Sequence, residues 1–132
     1  MKISAKSQYG LRAMVYLAKC KNRICSLKEV SEKEDISFDY LEKIISKLEK
    51  NNFLISKKGV QGGYSLARKP SKIKIGEIVG ILEGEKPLVK CLAKKCYCSK
   101  IKKCRTISVW KKLEHAINTA LNSITLADLI KN

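Results

Sequence analysis

The sequence predicts a mainly α fold carrying one small β-hairpin (α+β), and three observations predict it. Apolar residues recur at helical spacing over most of the chain, two short apolar runs flank a basic, glycine-rich turn, and a long amphipathic stretch returns near the C-terminus. With 132 residues the chain suits one core plus an appendage and is too short for two enzyme domains.

Taken in order, Leu11, Met14, Val15 and Ala18 repeat at helical spacing, which predicts a first helix from about Ser7 to Lys19. Ser26 followed three residues later by Glu29 reads as a capping box opening a short helix with Leu27 and Val30 inside, ending near Glu34 and Asp35. A third helix, Phe38 to Lys50, carries the stripe Leu41, Ile44, Ile45 and Leu48, with Asp39, Lys43, Ser46, Lys47 and Lys50 opposite. Asn51 and Asn52 supply its exit. Phe53-Leu54-Ile55 and Tyr64-Ser65-Leu66-Ala67 then read as strands around a tip containing Lys57, Lys58, Gly59, Gln61, Gly62 and Gly63. Pro70 ends the hairpin, and Ile75, Ile78, Val79 and Leu82 predict a fourth helix closing at Gly84. Past a segment without clear period, Val109, Trp110, Leu113, Ala116, Ile117, Ala120, Leu121 and Ile124 predict a long helix from about Thr106 to Ile124. Thr125 with Asp128 caps a last short one. The organisation expected is a body over 1–84, a cysteine-rich segment over 85–104, and a long helix with the C-terminal segment over 105–132.

Charge narrows the function classes. Lys plus Arg number 28 against 12 Asp plus Glu, a formal charge of +16. An excess of this size favours a polyanion, because neutralising phosphates releases their counterions. A membrane partner would need an anchor, and the apolar stretch from Leu11 to Ala18 is short and interrupted by Arg12. Six cysteines without a secretory signal point to reduced thiols, a metal site or redox chemistry in the cytoplasm. The chain has no paired-carboxylate constellation, no phosphate-cradling glycine loop and no histidine beside a nucleophile, so it does not read as an enzyme.

Two consecutive helices joined by a tight turn, the second amphipathic with a polar outer face, followed by a basic hairpin, is the order of a winged helix-turn-helix. The second helix must present polar groups to base edges in the major groove, and the wing needs cations and close-approaching backbone for phosphates. The contacts expected with double-stranded DNA are therefore Lys28, Ser37, Asp39, Tyr40 and Lys43 around the helix pair, with Lys57, Lys58, Gln61 and Gly62 on the wing.

The segment 86–105 holds four of the six cysteines, eight basic residues and no acidic one. Its spacings are too loose for a zinc ribbon, and a loop wrapped around an iron–sulfur cluster tolerates them better. Neighbouring Lys90, Lys94, Lys95, Lys100, Lys102, Lys103 and Arg105 favour thiolates. Reduced thiols without a prosthetic group, or a reversible disulfide within the segment, are the alternatives. Cys20 and Cys25 read as incidental, semi-buried thiols.

Several stretches resemble the IscR/NsrR/CymR-type winged-helix transcriptional regulators. They are Ile3-Ser4-Ala5-Lys6, Tyr9-Gly10-Leu11-Arg12-Ala13, 36–44, Gly59-Val60-Gln61-Gly62-Gly63-Tyr64-Ser65-Leu66-Ala67, Ile78-Val79 with Glu83-Gly84, Val109-Trp110-Lys111-Lys112-Leu113 and Thr125-Leu126-Ala127-Asp128-Leu129. The resemblance spans essentially the whole chain. It implies a homodimer joined through the long helix after the cysteines and reading a palindromic operator. The long apolar stripe agrees, since a body this small offers it little room, the alternative being that the helix packs back onto its own core.

The resemblance also implies an iron–sulfur cluster, [2Fe-2S] or [4Fe-4S], held by Cys91, Cys98 and Cys104. The chain departs from the pattern in its longer first interval and in the additional Cys96. IscR-like members take a fourth ligand from a histidine three residues after the last cysteine, where this chain has Ile107. NsrR-like members use an aspartate of the other subunit, where this chain has Gln8. The fourth-ligand candidates are thus Cys96 and Gln8, with an exogenous ligand or water as the remaining alternative. His115, mid-helix, reads as a surface or interface residue. The function expected is a DNA-binding regulator sensing iron–sulfur, redox or nitric oxide status. The alternatives are a cluster-free thiol-redox or small-molecule-responsive repressor and, in another class, a small iron–sulfur electron-transfer protein.

Overall fold

The computed structural model describes residues 2–21, 23–84, 86–93, 95 and 98–131. Among the described residues, six α-helices and one hairpin follow the predicted order, with the physical causes of each boundary now visible. Helix α1 (Ala5–Lys19) begins before Ser7, because Ser4 is its N-cap and accepts from the Ser7 amide at 3.3 Å. The residues before Tyr9 carry no apolar period, so only the cap marks this start. Helix α2 (Leu27–Glu34) is capped by Ser26, whose hydroxyl oxygen accepts from the Glu29 amide at 3.0 Å. The expected capping box is only half made: the Glu29 carboxylate accepts from Tyr16 and Arg23 instead of from the Ser26 amide. Helix α3 (Phe38–Lys50) has the bounds read from its stripe and buries Leu41, Ile44, Ile45 and Leu48.

Strands β1 (Leu54–Lys57) and β2 (Gly63–Leu66) pair antiparallel, Leu54 opposite Leu66 and Lys57 opposite Gly63. β1 starts one residue later than expected and ends two later, while β2 starts and ends one residue earlier. Phe53 precedes β1 as a buried core residue whose ring lies 4.7 Å from the Arg68 guanidinium carbon, so its apolar character reflects packing rather than pairing. Cys25 joins the sheet through a single bridge to Tyr64, exchanging amide–carbonyl bonds of 3.0 and 2.8 Å. The wing is therefore anchored directly to the residue preceding the α2 cap.

Helix α4 (Ile75–Glu83) buries Ile75, Ile78, Val79 and Leu82 and packs against α1 and α3. Glu83 locks this arrangement. Its Oε1 accepts from the buried Ser7 hydroxyl and from the Ser4 amide, each at 2.7 Å, and these bonds hold its carboxyl below the usual range.

Helix α5 (Ile107–Asn122) contains no fully buried residue, although Trp110, Leu113, Ile117 and Leu121 are half-buried and the helix leans on α4. It stops two residues before Ile124. Helix α6 (Leu126–Ile130) opens with the capping box Thr125–Asp128, both halves of which are formed. Leu126 is fully buried, its amide donates to the Ile73 carbonyl at 2.8 Å, and α6 packs on α1. One core thus runs from Met14 through Leu41, Leu48 and Ile78 to Leu126. No helix among the described residues is long and apolar enough to cross a membrane.

Candidate nucleic-acid interface and thiol sites

The turn between α2 and α3 is fixed from several directions. Asp35 ends α2 in the left-handed region at φ 52°, and Ile36 is buried. The Ser31 hydroxyl donates to the Ile36 carbonyl at 2.5 Å, while the Arg12 guanidinium of α1 donates to the Glu34 carbonyl at the end of α2. A cation on those last carbonyls also suits the helix dipole. Ser37 then caps α3, accepting from the Tyr40 amide at 3.3 Å, which leaves its hydroxyl proton available to an outside acceptor. The buried stripe fixes the rotation of α3, and Ser37, Asp39 and Lys43 are exposed. Tyr40 is half-buried with its ring edge-on to Tyr9, centroids 5.8 Å apart.

Lys57, Lys58 and Gln61 are exposed at the hairpin tip and Gly62 is half-buried. Gly59 adopts φ 114°, and its carbonyl accepts from the Gly62 amide at 3.0 Å to close the turn. At Gly63 a Cβ would run into the Cys25 backbone, so the bridge that ties the wing to the start of α2 requires glycine there. Of the nine expected contacts, four lie at the start of α3 and four at the wing tip. Lys28 stands apart on the first turn of α2. Sequence reasoning missed Phe38, which continues the apolar stripe but is 45% exposed because the first turn of α3 projects past the edge of the core.

The cysteine segment runs through two short 3-10 turns, Lys90–Leu92 and Ile101–Lys103. Cys91 and Cys104 are half-exposed, Cys98 is exposed, and all three are free thiols. Cys104 sits just before α5. The Thr106 hydroxyl, at 3.2 Å, together with the Thr106 and Ile107 amides, holds its thiol below the usual range. Lys100, Lys102 and Lys103 line a hollow beside it. In donor chemistry these residues fit an iron–sulfur group: soft thiols, one of them with its pKa lowered, on a stretch from 86 to 105 without acidic residues. Cys96 lies outside the described residues. Gln8 is exposed on the first turn of α1, its amide nitrogen donating to the Ile3 carbonyl at 3.0 Å, so its amide oxygen is the atom it has to offer a metal. His115 is exposed near Thr119.

Residues 3–132 match the sequence profile of the Rrf2 family, described as iron-dependent transcriptional regulator. The chain belongs to the Rrf2 family. It is 34% identical over 133 residues to the protein named rrf2 of Nitratidesulfovibrio vulgaris, covering 100% of this chain and 89% of that one. The solved structure of T. potens IscR is 39% identical and superposes with a TM-score of 0.78 over 98% of this chain and 86% of the other. CymR (YrzC), the global cysteine regulator of B. subtilis, is 34% identical with a TM-score of 0.80, covering 98% and 96%. The chain is accordingly a winged-helix transcriptional regulator and not an enzyme, and the electron-carrier alternative loses its support.

In this Rrf2-family chain the tightest group of potential ligands lies elsewhere than in the cysteine segment. Cys20 at the end of α1, Cys25 before α2 and Glu29 within α2 place their Sγ and carboxylate atoms within 4.8 Å of one another, and no other such group occurs among the described residues. Cys25 is fully buried, which pushes its thiol up to about 12. The Glu29 carboxyl is drawn down to about 2 by the Arg23 guanidinium and then by the Tyr16 hydroxyl. In the sequence Cys20 and Cys25 read as incidental thiols, although the four intervening residues fall within the usual zinc-pair spacing. Only the fold brings Glu29 to them.

Proposed function

We propose that this Rrf2-family regulator acts in the cytoplasm as a homodimer on a palindromic double-stranded DNA operator. Residues 1–84 read DNA, 85–104 form the sensor, and 105–132 supply the dimer contact. In each half-site α3 enters the major groove with Ser37, Asp39, Tyr40 and Lys43, Lys28 meets the adjacent backbone, and Lys57, Lys58, Gln61 and Gly62 follow the flanking phosphates. Phe38 adds an apolar contact suited to a thymine methyl. The observation carrying this reading is the orientation of α3. Leu41, Ile44, Ile45 and Leu48 are buried, its capped start is exposed, and the hairpin that follows is bridged to Cys25 just before α2.

Cys91, Cys98 and Cys104 would hold an iron–sulfur cluster, with Cys96 or the partner subunit's Gln8 as fourth ligand. When bound, the cluster would supply a centre reactive to oxidants and nitric oxide. The chain's own part is to hold three thiols, to stabilise the Cys104 thiolate at the start of α5, and to couple segment order to the dimer helix. Anaerobic purification followed by absorbance, iron and sulfide analysis tests this. Matched iron and sulfide that disappear in C91A/C98A/C104A support it. An unchanged operator affinity of that triple variant under all redox conditions overturns cluster-dependent sensing.

A second reading, a cluster-free thiol or small-molecule sensor, draws support from one observation. The chain is 34% identical to CymR, which is named for the regulation of cysteine. Colourless, metal-free protein that still binds DNA favours it.

A further inference from the structure

We propose that Cys20, Cys25 and Glu29 form a site for a single thiophilic divalent cation of the zinc type, separate from the cysteine segment 85–104. The three ligating atoms already lie within 4.8 Å of one another. A tetrahedral ion holding sulfur at about 2.3 Å spaces its ligands roughly 3.7 Å apart, so small side-chain adjustments suffice. Cysteine sulfur and carboxylate oxygen are both zinc donors, and the fourth position goes to water.

The present partner of the Glu29 carboxylate is a guanidinium. Arg23 donates to both Glu29 oxygens at 3.0 and 2.8 Å, and its NH2 lies 3.5 Å from the Cys20 sulfur. Its side chain is 57% exposed, so it can swing into water and leave its place to an entering cation. Tyr16, donating to Glu29 at 2.5 Å, remains to orient the carboxylate. The Cys20 sulfur is within 3.3 Å of the Tyr16 carbonyl, and Cys25 is pinned by its bridge to Tyr64, so both thiols are placed by backbone. The ion would join three elements: the end of α1, the base of the wing and the first turn of α2. The proposal does not depend on how the protein reads DNA.

The test uses the full chain as C91S/C96S/C98S/C104S, whose only cysteines are Cys20 and Cys25, reduced and stripped of metal. Its far-UV circular dichroism should match the parent. One equivalent of Co2+ per chain should give an intense sulfur-to-cobalt charge-transfer band with tetrahedral visible bands, and Zn2+ should displace it and raise Tm. Adding Cys20→Ser should abolish both responses. Adding Glu29→Gln should keep the thiolate band while weakening Zn2+ binding roughly tenfold or more. Absence of the cobalt bands in the folded protein, or their survival with Cys20→Ser, overturns the site. Unchanged zinc affinity with Glu29→Gln overturns the three-ligand set.

Discussion

Helix α3 and helix α5 are both amphipathic, yet α3 buries four side chains completely while α5, three residues longer, buries none. The stripe of α3 faces α1, α2 and α4 inside one chain, whereas α5 touches chiefly α4 and the turn Lys90–Leu92. Val109 remains 55% exposed, and Ala116 and Ala120, on the same side of the helix, are exposed as well. The same pattern therefore carries different information in the two places. In α3 it leaves a polar face outward, which the proposed reading assigns to DNA, and in α5 it leaves apolar surface uncovered, which that reading assigns to a second copy. Small residues on that surface allow close approach of a partner helix.

The largest effect is expected where the comparison predicts full burial. Leu48→Ala should lower unfolding free energy by about 2–5 kcal/mol, read from the denaturant midpoint. A loss below 0.5 kcal/mol would place α3 outside the core. On α5 the double variant V109E/A116E should leave the fold intact but weaken self-association roughly tenfold to a hundredfold, since it sets carboxylates in the contact. Sedimentation at micromolar concentration reads this out, and an unaltered dimer mass would sink the α5 interface. Glu83 sharpens the boundary between the two regions, because it ties the start of α1 to the end of α4 just before the cysteine segment. Its folded pKa is depressed, so its contribution is fully present above the ordinary glutamate value of about 4.3 and is lost as pH falls through the lower folded value. Glu83→Gln should cost about 1–2 kcal/mol at pH 7 and flatten that acid limb. A mutant whose stability still falls as steeply below pH 4 would deny Glu83 this role. The smallest effect is on the wing. K57A/K58A should weaken binding to all DNA sequences alike and reduce the salt slope of log K by about 2. A slope equal to that of the parent would remove both lysines from the phosphate contacts.

Much of this was legible in the chain itself. The Leu41, Ile44, Ile45 and Leu48 stripe set the bounds of α3, and the Thr125–Asp128 box placed the start of α6, because helical period and cap chemistry are local. Gly59 and Gly63 marked the wing for the same reason. The start of α1, the register of the hairpin and the fate of Glu29 were not legible. Glu29 had two local options, the Ser26 amide or a more distant donor, and the second depended on Arg23 and Tyr16 arriving from other parts of the chain. Phe38 belonged to the apolar stripe in sequence and fell outside the core in space, since periodicity defines a face but not where the neighbouring helices stop.

By itself the sequence determined the order of elements, the polar face of α3, the basic wing and the concentration of thiols over 85–104. Those follow from spacing, charge and turn chemistry, which act over a few residues. Only the tertiary structure decided that Cys25 bridges the wing to α2, that Leu126 returns to the core, and that Cys20, Cys25 and Glu29 converge. Each of these joins residues from separate elements. Such meetings are fixed by the packing of whole helices and strands against one another, which local pattern does not encode.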